Sequence, residues 1–138
     1  MRQQLLVAAC GMLLVALPLA AHHSFAAEYG GNKPVSLKGK ITQVEWVNPH
    51  SWIHIDVVGD DGKAVNWSCE TAPPNALYRQ GWRRDTLKEG DEVVVDGFLA
   101  KDGSHTMTAR SVTTPDGKKL LAGSASADGG PPSTNSKQ

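Results

Sequence analysis

Five histidines are the residues of this sequence best suited to bind a metal: His22, His23, His50, His54 and His105. Imidazole is a common ligand for copper, zinc and nickel. The adjacent pair His22 and His23 stands out because it directly follows "LPLAA", where small residues are typical of a signal-peptide cleavage site. Cleavage there would place a free amino group beside a histidine.

The first 21 residues predict a secretory signal peptide, with Arg2 as the positive start, residues 5–19 as the apolar segment and Ala21 as the last residue removed. The apolar segment is too short for a confident membrane span. We therefore expect a periplasmic or secreted protein with no membrane insertion after signal cleavage.

Two other cleavage sites are less favourable. A cut after Ala20 would place Pro18 at position −3. A lipoprotein-type cut before Cys10 is disfavoured because the apolar segment continues past this cysteine.

The predicted cut defines a metal-binding hypothesis. After cleavage behind Ala21, the amine and imidazole of His22 can chelate one metal, and His50 can supply a third nitrogen. After cleavage behind Ala20, His23 is the third residue, so amine, amide and imidazole nitrogens can surround the metal in a plane. Both geometries favour Cu(II). The alternative is that the pair is only a polar segment that assists processing.

Met107 follows His105 by two residues and could add a thioether that suits Cu(I). The alternative is that Met107 belongs to the hydrophobic core. The sequence leaves both open.

Cys69 is expected to be structural rather than nucleophilic or metal-binding. Once Cys10 leaves with the signal peptide, Cys69 is the single cysteine, and no internal disulfide can form. Alternation places it on one strand face with Val65 and Trp67, which favours a small buried residue.

A second candidate surface needs no metal. Alternation places Trp52, His54 and Asp56 on one face of a strand, where an indole could stack on a ligand. We expect this face to lie beside polar residues of the next strand: Asn66, Ser68 and Glu70. The alternative is that other parts of the chain cover Trp52.

Period-two patterns between turn-forming residues predict five strands and a short helix after the third strand. Leu77, Tyr78 and Trp82 could share one face of this segment, and Gly81 would end or bend the helix. The phase of the first strand shifts near residues 39–43, which predicts a β-bulge. The predicted strands cover residues 34–47, 51–58, 64–70, 92–100 and 105–113.

This order is typical of a mainly β, five-stranded OB-like barrel with one short helix between strands 3 and 4. A flat open sheet with the helix on one face is the alternative. The predicted interior residues are Ile53, Ile55, Val57, Val65, Trp67, Val93 and Val95.

The predicted chain organisation has four parts: signal peptide 1–21, N-terminal arm 22–32, OB-like domain 33–121 and disordered tail 122–138. The tail has no large apolar residue to bury. Removing the signal leaves 13 basic and 14 acidic side chains with no Lys/Arg block, so nucleic acid is not an expected partner.

Four blocks, "AHHSFAAEY", "VEWVNPHSWIHIDV", "NALYRQGWRRDTLKEGDEVVVDG" and "AKDGSHTMTARSVTTPDGKKL", resemble domain-of-unknown-function family 6152. These are small exported bacterial proteins without established activity. The resemblance implies export and carries over no catalytic residues.

The sequence therefore favours an exported, non-enzymatic binding domain with copper as the most concrete ligand. The alternative is a metal-free module that binds an unidentified protein or small molecule through the face around Trp52. An enzyme is the least favoured interpretation because no catalytic set of residues stands out in the sequence.

Overall fold

Six β-strands and one short α-helix make up residues 29–123, the part of the chain that the computed structural model describes. The prediction of a mainly β fold with one helix between the third and fourth strands is confirmed. The predicted signal peptide and residues 124–138 of the predicted tail lie outside the described residues. The elements are β1 (Tyr29–Glu45), β2 (Trp52–Val58), β3 (Ala64–Glu70), α1 (Pro74–Arg79), β4 (Glu92–Ala100), β5 (Thr106–Thr113) and β6 (Lys119–Leu121).

The strands form one sheet in the order β3-β2-β1-β4-β5-β6, and neighbours in this order pair antiparallel. In addition, β3 pairs in parallel with the beginning of β5, with Cys69 opposite Met107. Strand β3 therefore has a hydrogen-bonded partner on each side.

The predicted β-bulge in the first strand is confirmed. The register between β1 and β2 shifts between Ile41 and Gln43, so that Ile41 faces Ile55 and Val44 faces Ile53. The extra residue keeps apolar side chains on the core side after the shift, and Val44 packs against the core.

The prediction of five strands is wrong by one short strand. Residues 119–121 pair with the end of β5, whereas the sequence pattern predicts only a closing turn there. Three residues are too few to establish a period-two pattern. The packed region also continues to Ala122, the first residue of the predicted tail, which is buried and donates its N–H to the Arg110 carbonyl.

The predicted interior is confirmed for Ile53, Ile55, Val93 and Val95, each at most 1% exposed. Val57 and Trp67 are only half-buried and pack against the core, and Val65 is half-buried as well. Val57 and Val65 face each other near the turn that joins β2 to β3, where the sheet leaves them partly open to solvent.

Helix α1 starts after Pro73 with Pro74 in its first turn, where the missing N–H has no cost. Gln80 caps the helix, and the next residue, Gly81, has φ +95°, a conformation that suits glycine. Beyond it, Trp82 is 1% exposed, and its Nε1 donates to the Leu121 carbonyl at 2.7 Å.

The predicted common face of Leu77, Tyr78 and Trp82 is only partly present. Leu77 and Trp82 enter the core, but Tyr78 is 37% exposed. Within residues 29–123, no helix is long and apolar enough to cross a bilayer.

Candidate functional site

The predicted polar surface on the second and third strands is present, and we call it the β2–β3 polar face. It consists of three directly opposed pairs: Trp52 with Glu70, His54 with Ser68, and Asp56 with Asn66. Because both strands keep their alternation without a bulge, each residue singled out on β2 meets the polar partner expected on β3.

His54 lies at the centre of this face and is held by both ring nitrogens. Its Nδ1 is 3.1 Å from the Ser68 hydroxyl, and its Nε2 is 2.8 Å from Oε1 of Glu45 on β1. The His54 side chain is 19% exposed and that of Glu45 is 36% exposed. Both nitrogens are therefore occupied by protein contacts, which makes His54 a poor metal ligand.

Glu45 was missed by sequence reasoning. It reaches His54 because the bulge in β1 changes which residues of β1 and β2 lie opposite each other, with Gln43 opposite His54 and Glu45 opposite Trp52. The phase shift in the sequence was the only available signal.

The chain Glu45–His54–Ser68 has the composition of a carboxylate–imidazole–hydroxyl triad. Acyl transfer also needs N–H donors that stabilise a developing oxyanion. The N–H of Ser68 is already bonded to the His105 carbonyl at 2.9 Å. We therefore interpret the three residues as a cross-strand hydrogen-bond network.

Asp56 forms the other end of the polar face. Its Oδ1 accepts a hydrogen bond from the Asn66 amide at 2.8 Å, and the same amide is 3.1 Å from the Thr42 hydroxyl. Asp56 also lines an open depression of about 500 Å³ together with Lys40 and Val58. Trp52, at the opposite end, is half-buried.

His50 lies in the loop between β1 and β2. Its Nδ1 is 3.2 Å from the Thr71 carbonyl and 3.2 Å from Oε1 of Glu70, and the His50 side chain is 41% exposed. An Nδ1–H that donates to these oxygens leaves Nε2 as the nitrogen with a free lone pair. This is the arrangement in which proteins orient a metal-binding histidine.

His105 and Met107 do not form a ligand pair. Met107 is 0% exposed and belongs to the core, so the thioether interpretation is wrong and the core alternative is correct. His105 precedes β5, is exposed, and places its ring 5.0 Å from that of Trp67 at an interplanar angle of 56°.

The structural interpretation of Cys69 is supported. The residue is 0% exposed, and burial raises the pKa of its thiol from 9.0 to about 12. A reactive cysteine needs the opposite shift, because only the thiolate is a nucleophile or metal ligand.

Sequence reasoning also missed an aromatic stack between the β1–β2 loop and α1. The rings of Trp46 and Tyr78 are 5.4 Å apart and nearly parallel at 28°, and the Arg84 guanidinium lies 5.8 Å from the Trp46 ring. The two aromatic residues are far apart in sequence, so no spacing pattern indicates their contact. The stack explains why Tyr78 points away from the core.

Within residues 29–123, no group of three or more His, Cys, Asp or Glu residues could hold a metal ion. His22 and His23, on which the predicted copper site depends, lie outside this range. Their partnership with His50 stays a prediction.

A family profile matches residues 10–109 of the chain, and its description is "Family of unknown function (DUF6152)". None of the curated proteins matches the chain.

Proposed function

This chain belongs to DUF6152, a family of unknown function, and we propose that it is an exported, non-enzymatic binding domain that holds one copper ion at its processed N-terminus. His22 and His23 are the principal ligands. The working location is the periplasm or the extracellular space.

The observation that carries this proposal is the position of the histidine pair in "LPLAAHHSF". Cleavage after Ala21 gives His22 a free α-amino group, so its amine and imidazole can close a chelate ring on one metal. Cu(II) fits best because it prefers tetragonal nitrogen ligation and leads the divalent affinity order. Binding should strengthen as pH rises through the range in which the amine and imidazoles lose their protons.

The strand pairings support a five-stranded OB-like barrel as the platform for this site. The hydrogen-bonded strand pairs run in the order β1, β2, β3, β5, β4 and back to β1, and β6 pairs with β5. Such a ring leaves few exposed strand edges. In chain order α1 lies between β3 and β4, as the helix does in OB folds.

The described histidines differ in their suitability as a third ligand. His54 is excluded by its two hydrogen bonds. His50, the residue predicted from the sequence, keeps Nε2 available when its Nδ1–H donates to the Thr71 carbonyl, and the ring of His105 is exposed beside Trp67. His50 and His105 are therefore the two candidates.

Calorimetry and electron paramagnetic resonance with Cu(II) on the correctly cut protein test the proposal. We expect one nitrogen-ligated Cu(II) per chain. That signal should be lost in a variant with one extra N-terminal residue and in the double variant His22→Ala, His23→Ala. The matched control is His54→Ala, which removes a histidine with two occupied nitrogens and should bind copper as the unmodified protein does. Unchanged copper affinity in both N-terminal variants would refute the proposal.

A second candidate function is metal-free recognition of a protein or small molecule by Trp52, His54 and Asp56. It is favoured by the depression of about 500 Å³ beside Asp56 and by Val58 at its edge, which is 65% exposed. Backbone NMR of the metal-free protein with candidate ligands would separate the two functions. Shifts confined to this face, abolished by Trp52→Ala and retained in the variant without His22 and His23, would favour this alternative.

A further inference from the structure

An aromatic surface faces solvent between the β1–β2 loop and α1. Its centre is the stack of Trp46 and Tyr78, whose rings are 5.4 Å apart. Tyr78 is 37% exposed, Trp46 is half-buried, and the next loop residue, Val47, is 44% exposed. The Arg84 guanidinium lies 5.8 Å from the Trp46 ring. We call these four residues the Trp46 patch.

Backbone hydrogen bonds fix the two elements that carry the Trp46 patch to each other. The Ser51 N–H donates to the Ala72 carbonyl at 3.3 Å, and the Thr71 N–H donates to the Ser51 carbonyl at 2.9 Å. These bonds join the end of the β1–β2 loop to the segment just before α1. The stacked rings therefore need little reordering before they can contact another molecule.

The turn after α1 holds the residue that precedes Arg84. Nη1 of Arg83 donates to the Trp82 carbonyl at 2.6 Å, and the Arg83 backbone N–H donates to the Thr86 hydroxyl at 2.7 Å. Trp82 is itself 1% exposed. Arg84 thus extends from a turn that is anchored to the core.

Arginines give the surface around the patch a positive charge. Arg79, Arg83 and Arg84 are all exposed, and Asp85 is the one acidic residue in the segment 74–86. Within the described part of the chain, no ion pair joins any of the three arginines to a carboxylate. A partner can therefore neutralise this charge without breaking an existing ion pair.

The Arg84 guanidinium is suited to bind a carboxylate. It contacts the Trp46 ring through its cationic group and forms no hydrogen bond with another residue among 29–123. Its N–H donors can therefore bind another group, and their planar arrangement matches the two oxygens of a carboxylate.

Tryptophan, tyrosine and arginine are the residues most enriched at the energetic centres of protein interfaces. We propose that the Trp46 patch docks a protein partner whose contact segment carries an apolar side chain beside a carboxylate. The apolar side chain packs on Trp46, Tyr78 and Val47, and the carboxylate pairs with Arg84. The patch shares no residue with the proposed copper site or with the surface around Trp52, so its test is independent of both.

The amount of charge favours a protein over a nucleic acid or a membrane. A protein bound to DNA commonly contacts about 6–10 phosphates, and clusters that bind anionic lipids contain about 4–8 basic residues. Three arginines around an aromatic centre are fewer than either requires. They match the apolar core and polar rim of a protein interface.

Peptide titrations of the exported protein, followed by backbone NMR, test the proposal. The probe is the peptide Glu-Glu-Leu-Phe-Glu-Glu with both ends blocked. We expect millimolar binding, with shift changes centred on Trp46, Val47 and Tyr78. The control peptides Glu-Glu-Ser-Ser-Glu-Glu and Lys-Lys-Leu-Phe-Lys-Lys should bind much more weakly, because each lacks one of the two required features.

Variants then locate the interaction. Arg84→Glu should weaken binding of the acidic peptide at least about tenfold, because a charge-assisted hydrogen bond is lost. Tyr78→Ala should also weaken binding, because half of the aromatic stack is removed. The matched control is Arg110→Glu, which makes the same charge change at an exposed arginine 5.5 Å from the Phe98 ring. It leaves the Trp46 patch intact and should keep most of the affinity.

Four results would overturn the proposal. The first is no shift change at the Trp46 patch with the acidic peptide. The second is equal weakening by Arg84→Glu and Arg110→Glu, which would show that only net charge matters. The third is binding to phosphatidylserine vesicles that Arg84→Glu abolishes, which would assign the patch to a membrane. The fourth is a dimer in sedimentation that Arg84→Glu dissociates, which would assign it to a second copy of the chain.

Discussion

The inward and outward side chains of β2 and β3 belong to the same two strands but are held by different forces. Inward, Ile53, Ile55 and Cys69 are at most 1% exposed and contact other apolar groups. Outward, His54 and Ser68 are half-buried and joined by a hydrogen bond. In each strand, alternate residues therefore pack in the apolar interior or form hydrogen bonds on the outward face.

Side chains on the inward face contribute much more to the free energy of unfolding than side chains on the outward face. Complete burial of one isoleucine side chain contributes about 1.5–3 kcal/mol. A partly exposed polar or ionic pair contributes about 0.2–1 kcal/mol. The interior thus dominates the free energy of unfolding, and the outward face can change with much less effect on stability.

The largest loss of stability is expected when a side chain is added at Gly97 in the interior. A Cβ atom there would collide with the Thr108 carbonyl oxygen and lie 2.9 Å from Cε of Met107. We expect Gly97→Ala to lower the free energy of unfolding by at least about 3 kcal/mol, because the colliding atom belongs to the backbone. The matched control is Gly62→Ala, which has open space but φ +78° and should cost only about 1–2 kcal/mol. Similar urea midpoints for both variants would contradict the close approach of β4 and β5.

Cys69 tests the apolar character of the interior. Cys69→Ser introduces a buried hydroxyl and should cost about 1–3 kcal/mol. Cys69→Val keeps an apolar side chain and should cost less than about 1.5 kcal/mol. Urea unfolding of both variants checks the order, and equal stability would show that the site is more polar than the structure indicates.

The same residue predicts a dependence on pH. Because burial raises the thiol pKa from 9.0 to about 12, the folded state keeps a proton that the unfolded state releases between these values. The contribution of Cys69 to stability is thus fully present below pH 9.0 and declines as pH rises towards 12. Cys69→Val should lack this decline, and native protein should react with a thiol reagent far more slowly than urea-unfolded protein.

A smaller effect is expected on the outward face, at the contact between Glu45 and His54. A double-mutant cycle with Glu45→Ala and His54→Ala should give a coupling energy of about 0.5–1 kcal/mol, because both side chains retain contact with water. A coupling of several kcal/mol would mean that this network stabilises the protein as strongly as the interior does.

The smallest effect should occur at the ion pair between Lys119 and Asp96, which joins β6 to β4 at 3.0 Å. Their side chains are 62% and 35% exposed, so Lys119→Ala should cost only a few tenths of a kcal/mol. Burial would raise the pKa of Asp96, but hydrogen bonds from Ser36, Lys119 and Ser111 outweigh it and lower the pKa below 3.8. The stabilisation is therefore present above pH 3.8 and is lost as pH falls through the lower, folded-state pKa. A stability difference between Lys119→Ala and the unmodified protein that persists below that value would contradict this assignment.

Sequence alternation was sufficient to locate most strands and the partners on the polar face. The third and fourth strands were predicted with the bounds that the structure has, because turns and prolines delimit them clearly. His54 and Ser68 face each other because the two strands pair without a shift. Cys69 was assigned to the interior from the same two-residue period.

Sequence alternation could not predict contacts between residues that are distant in the sequence. The Glu45–His54 contact depends on the exact register after the bulge in β1. The Trp46–Tyr78 stack depends on how α1 packs against a loop. Strand β6 has three residues, too few to show a period-two pattern. The sequence allowed Met107 to be either a metal ligand or a core residue, and only its burial in the structure distinguishes the two roles.

The central claim is that export creates a copper-binding N-terminus. Its most direct test is intact-mass measurement, under native conditions, of the exported protein before and after addition of one equivalent of Cu(II). The account predicts a chain that lacks residues 1–21 and gains the mass of one copper ion. A mass that retains Met1, a lipid on Cys10, or a correctly cut chain that takes up no copper would contradict it.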